Sequence, residues 1–126
     1  MTGSTAFASL QGHKYLNLTT YRKNGEGVPT PVWFALQGER MYIVTQDNSG
    51  KVKRIRNNGK VTMAPSDARG KVLGEEVSGM ARVLSFEEGV AGDQVLQHKY
   101  GLMYRAFGFF WSLRRITPVI LEVIPA

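Results

Sequence analysis

Cysteine is absent from the 126 residues, which excludes disulfides, thiolate nucleophiles and thiolate-bound metals. Histidine is scarce: His13 and His98 stand far apart, and neither shares the spacing with other His, Asp or Glu residues that a metal site needs. No metal is therefore expected. Long apolar runs are missing too. The stretch from Val119 to Val123 is interrupted by Glu122 and falls far short of the roughly 20 residues that cross a bilayer. Met1-Thr2-Gly3-Ser4 has neither the charge nor the apolar stretch of a signal segment. A soluble, cytoplasmic protein is expected, forming a single domain over residues 1–126, with no membrane partner. No serine sits in a nucleophile elbow and no Gly-x-x-x-x-Gly-Lys loop occurs, so no side chain presents itself as catalytic. If the protein is an enzyme, a cofactor carries the reaction.

Acids are the minority charge, 10 against 16 Lys and Arg, for a net charge of +6. Lys51, Lys53, Arg54, Arg56 and Lys60 form one acid-free basic zone, and Lys99, Arg105, Arg114 and Arg115 form another. Two localised zones fit discrete anion sites better than a uniformly basic nucleic-acid surface. No nucleic-acid partner is expected.

Residues 14–21 alternate as a strand, Asn24-Gly25-Glu26-Gly27 turns, and Pro29 to Leu36 reads as a second strand. Pro29 and Pro31 lack amide protons, which places that strand at an edge or against a ligand. A tight turn, Gln37 to Arg40, leads into a third strand, Met41 to Thr45. Gly50 to Asn57 reads as a short helix with Val52 and Ile55 inward, stopped by Asn57-Asn58-Gly59 in the left-handed conformation. A fourth strand, Val61 to Ala64, is cut by Pro65, and Glu76 to Phe86 is a fifth. Helical spacing runs from Glu87 to about Phe110, divided by Gly101 and Gly108, before a sixth strand from Val119 to Ile124. The fold class is all-β dominated with small helices. An antiparallel barrel suits the six strands better than a sandwich because it removes exposed edges.

The segment Thr45-Gln46-Asp47-Asn48-Ser49-Gly50-Lys51 carries the sharpest functional signal. It ends an apolar strand and opens a helix whose first turns are basic, although the positive end of the helix dipole disfavours cations there. An anion at residues 49–54 would offset that cost. Pairing of strands two and three brings Pro31, Val32 and Trp33 near this helix start, so a ring against residues 31–33 and a phosphate at residues 49–54 would describe a flavin-like cofactor. The plainer readings are that Trp33 and Phe34 pack the barrel and that the cations form a solvated face.

Several ordered motifs extend this reading: Leu18-Thr19-Thr20-Tyr21-Arg22-Lys23-Asn24-Gly25, Pro29-Thr30-Pro31-Val32-Trp33-Phe34, Thr45 with Ser49-x-Lys51-x-x-x-Ile55, and Val61-Thr62-Met63-Ala64-Pro65-Ser66-Asp67. In this order they resemble the pyridoxamine 5'-phosphate oxidase-like, FMN-binding split-barrel superfamily. Within it the chain is most similar to the small actinobacterial flavin/deazaflavin oxidoreductases. The resemblance implies a six-stranded split-barrel homodimer with cofactor sites at the subunit interface. It implies a ring along Pro31, Val32 and Trp33, a phosphate on Ser49, Gly50, Lys51 and Arg54, and Thr45, Ala64 and Pro65 as site residues. Trp111, Arg114 and Arg115 are its candidates for reaching the partner's cofactor or its acidic tail. The implied cofactor is coenzyme F420, with FMN as alternative, and the implied activity is hydride transfer from reduced deazaflavin to an unsaturated small-molecule substrate. True pyridoxamine phosphate oxidases carry an extra carboxyl-terminal segment that the chain does not show, so that reaction is not expected. A non-catalytic protein binding a flavin, haem or another anionic ligand is the remaining alternative.

Overall fold

The computed structural model describes residues 3–126; Met1 and Thr2, part of the segment read for a signal, lie outside the described residues. Six antiparallel strands close a barrel: β1 (Tyr15–Tyr21), β2 (Gly27–Gln37), β3 (Arg40–Gln46), β4 (Lys60–Ser66), β5 (Val77–Val83) and β6 (Pro118–Pro125), in the order β1-β2-β3-β6-β5-β4. Alternation sets the inward face. In β1, Leu16, Leu18 and Thr20 are buried while Tyr15, Asn17, Thr19 and Tyr21 are half-buried. Phe34, Met41, Ile43, Val61, Met63, Leu121 and Val123 fill the same interior. A 3-10 segment, Gly3–Leu10, adds Phe7 and Leu10 to this core. Sequence pattern assigned no element there, because two apolar residues three apart make too short a run to show a period.

The barrel is split by a change of partner within β2. Its first part, Gly27 to Trp33, pairs with β1, and its second part, Phe34 to Gln37, pairs with β3. Pro29 and Pro31 both fall in the first part, opposite Thr19 and Asn17, where the other edge of β2 is free. The edge placement expected from these prolines holds for that part of the strand.

Three α-helices complete the chain: α1 (Gly50–Asn57), α2 (Phe86–Tyr100) and α3 (Leu102–Leu113). α2 covers the outer face of β2, β3 and β6, burying Ala35, Tyr42 and Ile120 against Leu96 and Tyr100. Its approach is close at Gly92, where a Cβ would lie 2.6 Å from Tyr42 Cδ1 and 2.9 Å from Ile120 Cγ2. These strands are therefore apolar on both faces, unlike β1.

Four local expectations need correction. Pro65 does not cut β4, which runs through it to Ser66. Pairing with β5 ends at Met63, so the missing amide proton of Pro65 costs no ladder bond, while its carbonyl accepts from Leu73 N–H at 2.7 Å. β5 stops at Val83 rather than Phe86, because Ser85 caps α2. Its Oγ accepts from Glu88 N–H at 3.2 Å, and the Glu88 carboxylate accepts from Ser85 N–H at 3.0 Å. α1 does not end in the left-handed conformation: Asn58 is extended and donates its N–H to Arg54 O at 2.7 Å. Gly59 is needed instead for close approach, since a Cβ there would lie 2.6 Å from Ala81 O. Finally, α3 passes through Gly108 and ends after Leu113, where Arg115 N–H bonds Ser112 O and Ile116 N–H bonds Trp111 O. Those two bonds form a Schellman ending with Arg115 at φ 58° in the position glycine usually takes. Gly101 divides α2 from α3 as expected.

Candidate functional site

A cavity of about 450 Å³ opens beside the free edge of β2. Pro31, Val32 and Trp33 form one wall, Val44, Thr45 and Gln46 at the end of β3 another, and Ser49 and Lys51 the start of α1. Tyr104, Phe107, Gly108 and Trp111 of α3 close the far side. Those four share one helical face at spacings of three and four.

Trp33 is fixed in this wall by aromatic contacts. It stacks on Tyr100 at 4.5 Å and 14°, and meets the edge of Phe107 at 4.8 Å. Phe107 in turn lies 5.8 Å from Trp111. Tyr100 itself is anchored where β1 and β2 part. Its hydroxyl accepts from Phe34 N–H at 3.0 Å and lies within donating distance of Lys14 O (2.7 Å) and Phe34 O (2.8 Å). Burial pushes its pKa up to about 12. Lys99 braces the same seam, donating to His13 O and Phe34 O at 2.8 Å each, with its ammonium 3.7 Å from the Phe34 ring centre.

The basic end of the cavity is built by the β3–α1 turn. Asp47 N–H bonds Thr117 O at 2.9 Å and Ser49 N–H bonds Gln46 O at 3.2 Å, so the chain reverses directly into α1. Ser49 Oγ accepts from Val52 N–H at 3.4 Å as the helix cap. Arg54 Nε donates to Thr20 Oγ1 at 2.7 Å, and its guanidinium folds over the helix start. A Cβ at Gly50 would lie 2.8 Å from one of that guanidinium's nitrogens, so glycine makes the room. Lys51 is half-buried, and burial first, then the Arg54 charge, holds its pKa below the usual lysine range. Among the described residues no carboxylate pairs with it. A cation without a carboxylate partner in the first turn of a helix fits the phosphate end of an anionic cofactor, and the aromatic wall fits its ring.

Across the cavity the Tyr104 hydroxyl donates to Asp93 Oδ1 at 2.6 Å. Burial, then that bond, raises the Tyr104 pKa far above its ordinary value and keeps the proton on Oη at neutral pH.

Of the residues singled out in the sequence, Pro31, Val32, Trp33, Thr45, Ser49, Lys51 and Trp111 come together around the cavity. Gly50 and Arg54 adjoin it at the helix start without lining it. Ala64 and Pro65 lie on β4, on the far side of β1 from β2 and about 10 Å from Pro31 across two strand spacings. Instead of them, Ala68 in the loop after β4 reaches the cavity, with that loop held by Asn17 Nδ2 donating to Gly70 O at 3.2 Å. Sequence reasoning missed Asp93, Tyr104 and Phe107. The shared face of residues 104, 107, 108 and 111 was the available signal. Among the described residues no group of three or more His, Cys, Asp or Glu side chains could hold a metal ion, and no helix is long and apolar enough to cross a membrane.

A closed antiparallel barrel split at its second strand, with an aromatic cavity at the split and a basic helix start beside it, defines a split-barrel fold of the flavin-binding type. The sequence profile described as pyridoxamine 5'-phosphate oxidase matches residues 4–108, and the chain belongs to that family. Among curated proteins none matches the chain. Solved structures share the fold at low identity. An F420 reductase is 21% identical, with a TM-score of 0.62, covering 94% of this chain and 91% of its own. The heme storage protein HutZ from Vibrio cholerae is 11% identical, with a TM-score of 0.70, covering 100% and 92%. An FAD-binding protein from Mesorhizobium loti is 13% identical, with a TM-score of 0.65, covering 99% and 88%.

Proposed function

We propose that the protein is a cytoplasmic F420-dependent oxidoreductase that transfers a hydride from reduced deazaflavin to an unsaturated small-molecule substrate, working as a homodimer with the cavity at the subunit interface. The observation that carries this reading is the half-buried, unpaired Lys51 at one end of an aromatic cavity. Membership of a family named for a flavin enzyme and a shared fold with an F420 reductase support it. The free edge of β2 beside the cavity supports the interface placement.

Lys51 and Arg54, with the N–H groups that open α1, would hold the cofactor's phosphate, and Pro31, Val32 and Trp33 would flank its ring. When bound, the deazaflavin supplies a hydride. The protein's own contribution is position and dryness. Phe107 and Trp111 would shield a bound ring from water on one side, and Trp33 is held in orientation by Tyr100. Tyr104 keeps its proton on Oη, so that wall presents a hydroxyl rather than a phenolate.

Titration of purified protein with F420, FMN, FAD and haem tests the assignment. F420 should bind most tightly, and its reduced form should be reoxidised on adding a quinone or an α,β-unsaturated ketone. Tighter binding of FMN would replace the cofactor, and F420 binding without turnover with any acceptor would make the protein a carrier.

A further inference from the structure

α3 presents a second face that the cavity does not use. Twelve residues long, about 18 Å, it has no buried residue. At 100° per residue, Leu102, Ala106, Phe109 and Leu113 align on the side opposite Tyr104, Phe107, Gly108 and Trp111. Leu102 is 81% exposed, and Phe109 and Leu113 are each 68% exposed. Exposed Arg105 flanks this stripe on one side. Arg114 lies on the other, its guanidinium 4.9 Å from the centre of the Phe110 ring, and Arg115 follows directly. No acid occurs between Asp93 and Glu122. Beside the stripe, at the elbow between α2 and α3, a shallow groove of about 510 Å³ is lined by Gln94, Gln97, His98, Leu102 and Arg105.

We propose that this face docks on an anionic phospholipid surface, with Leu102, Phe109 and Leu113 entering the acyl boundary, Arg114 and Arg115 at the level of the headgroups, and the elbow groove taking a lipid phosphate on Arg105. An apolar stripe flanked by arginines on a short helix is the arrangement that lies in a membrane interface rather than across it. Charge favours an anionic surface over a second copy as the main occupant. A two-fold contact would set these arginines against their own copies with no acid in the segment to pair them. The inference does not depend on which cofactor the cavity takes.

Co-sedimentation with vesicles tests it, comparing mixed phosphatidylcholine and phosphatidylglycerol with phosphatidylcholine alone at low and high salt. The protein should sediment with the anionic vesicles only, and less as salt rises. Phe109→Ser with Leu113→Ser should lower partitioning about tenfold. These positions are exposed, so the melting temperature should not move. Arg114→Gln and Arg115→Gln should each lower partitioning about fivefold and flatten its salt dependence. Absence of sedimentation with anionic vesicles overturns the proposal, as does binding that these variants leave unchanged. A shift of the Phe109→Ser, Leu113→Ser protein to a smaller oligomer, without vesicle binding by the parent, would show that a second copy covers the face.

Discussion

Two lysines of this barrel, Lys51 and Lys99, are both desolvated, and the difference between them separates scaffold from site. Lys99 has partners: two backbone carbonyls accept from it and an aromatic ring lies beneath it, so it closes the gap where β1 and β2 diverge, although burial still lowers its pKa to about 8. Lys51 has no such compensation. The Arg54 charge acting on it has the same sign, and it stands at the start of a helix, the end that disfavours cations. An anion arriving at Lys51 would supply the partner it lacks, whereas the Lys99 ammonium already has acceptors within the fold. The seam is closed by groups of the folded chain, whereas Lys51 at the cavity has no carboxylate partner among the described residues.

Removing the hydroxyl at the seam should have the largest effect on stability. Tyr100→Phe leaves the buried Phe34 N–H without its acceptor and should cost about 2–3 kcal/mol, read from chemical denaturation. Lys99→Met should cost less, because Phe34 O keeps the Tyr100 hydroxyl and because removing a charge that burial disfavours offsets part of the two lost bonds. Lys51→Met should leave the stability of the ligand-free protein unchanged or slightly raised, since it removes a buried, unpaired charge. If Lys51→Met destabilised the free protein as much as Lys99→Met, the contrast would fail.

The pH dependence gives a smaller, two-sided effect. Burial lowers the Lys99 pKa to about 8 from an ordinary 10.5, so between those values the unfolded chain holds more protons and stability rises with pH. Tyr100 acts in the opposite sense. Its pKa is raised from 10.0 to about 12, so its contribution is full below 10 and is lost as pH climbs through 12. Melting curves should therefore show the Lys99 rise above pH 8 in the parent and not in Lys99→Met. A ¹⁵N-detected titration should place the Lys99 midpoint near 8.

Much of this architecture was legible because short-range chemistry encoded it. The alternation of Leu16, Leu18 and Thr20, the prolines of β2, and the Ser49 start of α1 all act within a few residues. The misread boundaries were local too, but each depended on a partner. Pro65 continues a strand because β5 no longer pairs there, and Gly59 serves the backbone of Ala81 rather than a helix end. The Ser85 and Glu88 capping box has the Ser-x-x-Glu spacing of a helix start, a signal the expectation of a strand running to Phe86 left unused. The cavity was half legible. Its strand wall and basic turn follow from neighbouring motifs, whereas Asp93, Tyr104 and Phe107 arrive by the folding of α2 and α3 over β2. No spacing between residues 33 and 107 announces that contact.

The central claim is that Lys51 awaits an anionic cofactor while Lys99 belongs to the scaffold. Calorimetric titration of F420 into the parent, Lys51→Met and Lys99→Met tests it most directly. The account predicts an affinity lower by about tenfold or more in Lys51→Met, from the loss of a charge-assisted bond to phosphate, and parental affinity in Lys99→Met. Equal affinity in all three proteins would contradict it.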